Sequence, residues 1–98
     1  MAQVEIRETK AAEKALSKAP KEVLVSYETW ARLIEEHGLA ILRKFKGYHD
    51  EKLSGDMKMF RSSRLNKKWR VIYSVDSGGA IQIVEVAKII PHDYRRKK

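Results

Sequence analysis

At Gly55 the apolar pattern of this sequence changes period, and no other feature constrains the fold as much. Upstream, Val23, Leu24, Tyr27, Trp30, Ala31 and Ile34 recur at spacings of three and four. This is the stripe of an amphipathic helix running from Pro20 to Glu36, with Gly38 as its C-cap. Downstream, Met57 to Leu65, Trp69 to Val75 and Ala80 to Ala87 read as three strands. Asn66-Lys67-Lys68 and Asp76-Ser77-Gly78-Gly79 join them and have the length and composition of hairpin loops, so an antiparallel meander is expected.

The rest of the chain fits around these two halves. Val4 and Ile6 alternate with polar neighbours and predict a short first strand. Thr9 is placed to cap a helix rich in strong helix formers that stops near Pro20. Leu39 to Phe45 reads as a further short helix, Gly47 to Gly55 as a loop, and Pro91 as the end of the strand pattern before a basic tail, His92 to Lys98. The expected class is α+β, a small antiparallel sheet in the order β-α-α-β-β-β with the N-terminal helices packed on one face and the other face free. A chain of 98 residues supports one core, so residues 1–98 are expected to form a single domain. The sequence contains no apolar run of the ~20 residues a membrane span needs, and Met1-Ala2-Gln3-Val4-Glu5 does not resemble a signal peptide. A cytoplasmic location without membrane partners is expected. With no cysteine, disulfides, thiolate metal sites and cysteine nucleophiles are excluded.

Charge separates the halves further. Residues 1–50 carry nine Lys/Arg against eight Asp/Glu, and residues 51–98 carry twelve against five, so +7 of the net +8 lies in the second half. A one-signed surface of this kind concentrates polyanions, and nucleic acid is the expected partner. Between Met57 and Val75 there are six basic residues and no acidic one. Neither alternating set of strand 57–65 is cleanly apolar, so it reads as one wall of an open cationic groove. Lys58, Arg64, Lys67 and Lys68 are its RNA-binding candidates, joined by Lys88, Arg95 and Arg96 around the last strand. Arg70 interrupts an apolar strand on the face of Ile72 and Ser74, and it either pairs with Glu85 or is aimed at a ligand phosphate. His92 and Tyr94 place proton-transfer groups among cations, and His49 is a weaker candidate. The carboxylates Glu51, Asp56, Asp76, Glu85 and Asp93 are scattered, and no glycine-rich phosphate loop is present, so neither a metal site nor a cofactor is expected.

The run Leu53-Ser-Gly-Asp-Met-Lys-Met-Phe-Arg-Ser-Ser-Arg-Leu-Asn-Lys-Lys-Trp-Arg-Val-Ile-Tyr-Ser-Val resembles the RelE superfamily of bacterial toxins. Members combine a Leu-x-Gly, a spaced aromatic and basic strand, and an aromatic-Arg-aliphatic-aliphatic-Tyr strand. The resemblance implies a toxin that enters the ribosomal A site, contacts mRNA and 16S rRNA, and cleaves the messenger. It also implies a cognate antitoxin holding the toxin inactive in a toxin-antitoxin hetero-oligomer. Carried over residue by residue, Arg61 and Arg70 match the catalytic basic residues of the second and third strands of the motif region, and Tyr94 or His92 matches the late catalytic Tyr or His. Ser63 and Ile89 depart from the family's second lysine and late arginine, with Arg64, Lys88 or Arg95 as possible substitutes. The implied chemistry is metal-free attack of the RNA 2′-hydroxyl on the adjacent phosphate, with Arg61 and Arg70 on the developing charge and His92 or Tyr94 moving a proton. Two alternatives remain: a gyrase inhibitor of the related ParE branch, and an RNA-binding protein without catalysis.

Overall fold

The structure, a computed structural model, describes residues 3–91. Strand β1 (Val4–Glu8) leads into helices α1 (Lys10–Lys18), α2 (Lys21–His37) and α3 (Ile41–Lys44), followed by strands β2 (Glu51–Lys52), β3 (Arg61–Arg64), β4 (Trp69–Asp76) and β5 (Gln82–Pro91). Thr9 caps α1 as expected, its hydroxyl oxygen accepting from the Ala12 N–H at 3.1 Å. The same hydroxyl donates to the Ala87 carbonyl at 3.0 Å, and the Thr9 N–H donates to Val86, which fastens the start of α1 to β5. Gly38 ends α2 at φ 87°, a conformation that favours a residue without Cβ, and its N–H closes on the Ile34 carbonyl.

The sheet order is β1-β5-β4-β3-β2. The meander of β3, β4 and β5 is antiparallel, as its loops predicted. β1, however, pairs with β5 in parallel, Val4 opposite Gln82 through Glu8 opposite Val86, so the sheet is mixed rather than antiparallel throughout. The helices carry the chain from β1 to the far edge of the sheet, and the antiparallel strands β2 to β5 bring it back beside β1, where β5 runs in the same direction as β1. Three further boundaries differ from expectation. Gly55–Met57 is a 3-10 turn, so the third strand begins only at Arg61. Glu51–Lys52, expected as loop, adds a two-residue edge strand against β3. β5 continues to Pro91, opposite Trp69, because β1 covers only Gln82–Val86 and the strand beyond is an edge that tolerates proline.

The core lies between sheet and helices. Tyr27 stacks on Trp30 at 5.7 Å and Trp30 meets Tyr73 edge-on at 5.3 Å, with Ile34, Val71 and Val84 closing around them. A bulge between Ile72 and Tyr73 sets Tyr73 opposite Val86 and Ile72 opposite Lys88. The bulge takes up Ala87 as the extra residue, so that Val86 and Ile89, three apart, share the buried face. The second face is not wholly free: residues 53–60 cross it, with the Leu53 N–H donating to Phe60, so that Ile72, on that face, is 2% exposed.

Candidate functional site

Strand register decides which basic side chains share a face. Arg70 stands opposite Arg64 on β3 and Ile90 on β5, and Ile72 stands opposite Ser62 and Lys88. Directly opposed residues point to the same side of an antiparallel pair, so Ser62, Arg64, Arg70 and Lys88 all belong to the face away from the helices. Arg70 is buried there. Its Nε donates to Ser62 Oγ at 2.5 Å, and its Nη2 lies 3.4 Å from the His49 carbonyl and 3.4 Å from Glu51 Oε2. Glu85, the partner considered from the sequence, is opposite Ser74 instead; the carboxylate that reaches Arg70 is Glu51. The short Nε bond fixes the guanidinium plane, whereas contacts of 3.4 Å are at the weak limit and easily exchanged. Glu51 is solvent-exposed, and Lys88 is exposed nearby on β5. The result is a fixed cation, a reachable carboxylate and a second cation around one open patch.

Arg61 is on the other face. It opposes Tyr73, whose ring is in the core, and its Nε and Nη2 donate to Asp50 Oδ2 at 3.0 and 2.8 Å. Asp50 Oδ1 accepts from Ser63 Oγ at 2.7 Å and from the Tyr73 hydroxyl at 2.5 Å. Burial pushes the Tyr73 phenol above its ordinary range, and the bond to Asp50 adds to this. For Arg61, burial works against the charged form, but Asp50 outweighs it and holds the guanidinium more firmly protonated than usual. Arg61 and Arg70, expected to converge on one phosphate, are therefore separated by the thickness of the sheet.

The segment His49–Glu51 links the two faces. His49 is left-handed at φ 44°, ψ 48°, and its carbonyl faces Arg70. Asp50 turns to the helix side and Glu51 to the open side. Sequence reasoning passed over Asp50, Glu51 and Ser62. The signal available was alternation: two adjacent acids, Asp50 and Glu51, and two adjacent serines, Ser62 and Ser63, between arginines, so that an extended backbone sends one of each pair to each face.

The remaining candidates are less tightly grouped. Lys67 and Lys68 are exposed in the β3–β4 turn, at the Arg64 and Arg70 end of the hairpin, where the Asn66 side chain accepts from the Lys68 and Trp69 N–H groups. Lys58 is exposed in the segment that crosses the sheet, outside any strand. The far end of the open face is different in character, with Asp76, Glu85, Arg7 and Met59 around a shallow pocket. His92, Tyr94, Arg95 and Arg96 lie outside the described residues; β5 ends at Pro91, one position beyond the residue paired with Arg70.

No family model matches this sequence, and no curated protein matches it. Solved structures do. YafQ from E. coli superposes with a TM-score of 0.75 at 16% identity, over 96% of this chain and 99% of that one. A YoeB/ParE toxin from Agrobacterium tumefaciens gives 0.69 at 21% identity, over 90% and 98%. A chain of the E. coli DinJ-YafQ toxin-antitoxin complex gives 0.73 at 18% identity, over 94% and 96%.

Proposed function

We propose that this chain, which has the fold of the RelE/ParE superfamily of toxins, is the toxin of a toxin-antitoxin pair and an endoribonuclease that cleaves mRNA on the ribosome. The observation that carries the reading is Arg70: a buried guanidinium, oriented through Ser62, with the exposed carboxylate of Glu51 at its side and Lys88 on the neighbouring strand.

These groups suit in-line attack by a 2′-hydroxyl. Glu51 takes the hydroxyl proton as the 2′-oxygen bonds to phosphorus. Arg70 exchanges its long contacts for the phosphoryl oxygens as negative charge builds on them, with Lys88 assisting. The 5′-oxygen leaves with a proton from His92 or Tyr94, producing a 2′,3′-cyclic phosphate and a free 5′-hydroxyl. No step calls for a metal or cofactor. Arg61 acts from behind the sheet, holding Asp50 and through it the neighbouring Glu51. Lys58, Arg64, Lys67 and Lys68, with Arg95 and Arg96, contribute to RNA and ribosomal RNA contacts. The work is cytoplasmic, since that is where translating ribosomes are. The structural neighbours include a toxin-antitoxin complex, which supports a cognate antitoxin as partner in a hetero-oligomer.

Mapping mRNA 5′ ends after induction in a bacterium tests the reading. Wild type is expected to produce new ends in codon register, reduced at least 100-fold by Arg70→Ala, by Glu51→Gln and by the double change His92→Ala, Tyr94→Ala. Growth arrest without new ends would overturn the ribonuclease and make gyrase the next target.

A further inference from the structure

Beside the Arg70 patch, the open face carries an apolar slot that no step above uses. Leu53, Ser54 and Met57 from the segment crossing the sheet, Ile72 of β4, and Lys88 and Ile90 of β5 line a cavity of about 520 Å³. Ile72 is buried and forms its floor, while Leu53, Met57 and Ile90 are half-buried walls. Those walls are held by the backbone. The Met57 N–H donates to the Ser54 carbonyl at 3.2 Å and the Phe60 N–H to the Met57 carbonyl at 2.9 Å. Gly55 opens this turn at φ 65°, where a side chain would be strained, and so brings Leu53 and Met57 to the same cavity. The Leu-x-Gly of the sequence has its structural use here.

Position ties the slot to the phosphate site. Ile90 stands directly opposite Arg70, and Ile72 follows Arg70 by two residues on the same face. The slot therefore begins ~5 Å across the sheet and ~7 Å along the strand from the fixed guanidinium, with Lys88 at its rim. An apolar space beside two cations suits a single nucleotide, which joins an apolar ring face to a phosphate, and the splayed bases of single-stranded RNA are held by such cover. Sheet order then gives the strand a direction. Glu51 reaches Arg70 from β2, whereas Ile90 and Lys88 lie on its other side, in β5. In-line displacement puts the attacking 2′-oxygen and the leaving 5′-oxygen on opposite sides of phosphorus, so the nucleotide that carries the 5′-oxygen extends toward β5.

We propose that this slot holds the RNA base on the 3′ side of the scissile phosphate and favours a purine there. The inference deepens the ribonuclease reading and rests on it for the direction of the strand. Aliphatic and thioether walls grip a ring face without reading the hydrogen-bonding groups on its edge. Selection then follows the apolar area buried, which is larger for a purine, and is modest, as in other hydrophobic pockets.

The test is a titration of the full chain, methyl-labelled at Ile, Leu and Met, followed by NMR. The probes are dinucleoside monophosphates with a single phosphodiester and a 2′-deoxy 5′ ribose, which cannot be cleaved and leave no ambiguity of register. With adenine at both positions, millimolar binding is expected, with ring-current shifts at the methyls of Leu53, Met57, Ile72 and Ile90. Removing the 3′ base should abolish these shifts and weaken binding at least fivefold, whereas removing the 5′ base should leave the shifts in place. Uracil in place of the 3′ adenine should weaken binding at least twofold. Ile90→Ser should make affinity insensitive to the 3′ base, and Leu53→Ala provides the same reading should Ile90→Ser lower the melting temperature. Met59→Ala, at the far end of the open face, is expected to change affinity by less than twofold. No shift at millimolar probe, shifts that follow the 5′ base, a uracil preference, or a 3′-base effect unchanged in both slot variants overturns the proposal. The same shifts produced at equal concentration by N-acetylleucinamide would assign the slot to an apolar side chain of a protein and also overturn it. Failure of the ribonuclease reading would appear separately, as absent mRNA ends, because these probes report binding without cleavage.

Discussion

Asp50 accepts four hydrogen bonds, two from Arg61 and one each from Ser63 and Tyr73, while the residues on either side of it face Arg70. Replacing it with alanine strands three donor groups in a largely buried site and is expected to lower stability by about 3 kcal/mol, measured by urea unfolding. Asp50→Asn keeps an acceptor and should cost less. On the proposed mechanism it should, in the surviving folded fraction, lower kcat for RNA cleavage more than it raises KM, because Glu51 loses its anchor while the cations proposed to bind RNA stay in place. Tyr73 and Tyr27 make an alkaline prediction. Both phenols are raised above the ordinary value of 10.0, each chiefly by burial and then by a carboxylate, Asp50 for Tyr73 and Glu8 for Tyr27. Below pH 10 both states of the chain keep these protons, and the phenols leave stability independent of pH. Above it the unfolded chain releases protons that the folded chain retains, so stability falls as pH rises. Thermal melts from pH 8 to 12 should show the decline beginning near the ordinary tyrosine value, and Tyr73→Phe should make it shallower.

At the scale of elements, Ala87 is the one residue of β5 without a partner on β4. Deleting it would join Val86 directly to Lys88 and leave an unbroken ladder in which Val86 and Ile89 keep the buried face and Lys88 the open one, at the cost of the bond the Thr9 hydroxyl donates to the Ala87 carbonyl. The deletion is therefore expected to keep a cooperative calorimetric transition at a lower melting temperature, whereas Ala87→Ser, which retains that carbonyl, should leave the melting temperature close to that of the unaltered chain. Bulges of this kind are poorly legible in sequence, since one extra residue resembles an ordinary irregularity in alternation. α2 was legible because six apolar residues repeat at its period, and β4 because its hydrophobic run is bounded by turns. The parallel pairing of β1 was not, as strand direction depends on where the helices deliver the chain and on how many antiparallel strands follow. Parity correctly grouped Arg61 with Ser63 and Leu65, yet β3 is polar on both sides, so nothing local told which side the helices cover. That choice is what separates Arg61 from Arg70.

The open face as a whole is polarised, with Arg64, Arg70 and Lys88 toward one end and Asp76 and Glu85 toward the other. RNA is expected to lie over the first end and avoid the second. Arg64→Ala and Lys88→Ala should each reduce the slope of log affinity against log salt for single-stranded RNA by about 0.7, the value for one lost phosphate contact. Lys10→Ala, on α1 and away from this face, should leave the slope unchanged in the same titration. The parallel pairing of β1 with β5 also bears on biosynthesis. Val4 waits for Gln82, so β1 leaves the ribosome with no strand to join until β5 follows it. Until then Arg70 sits on a hairpin that lacks its neighbour bearing Lys88 and Ile90. A nascent fragment short of β5 thus carries the sequence motif without the surface, which is completed only when nearly the whole chain has been made.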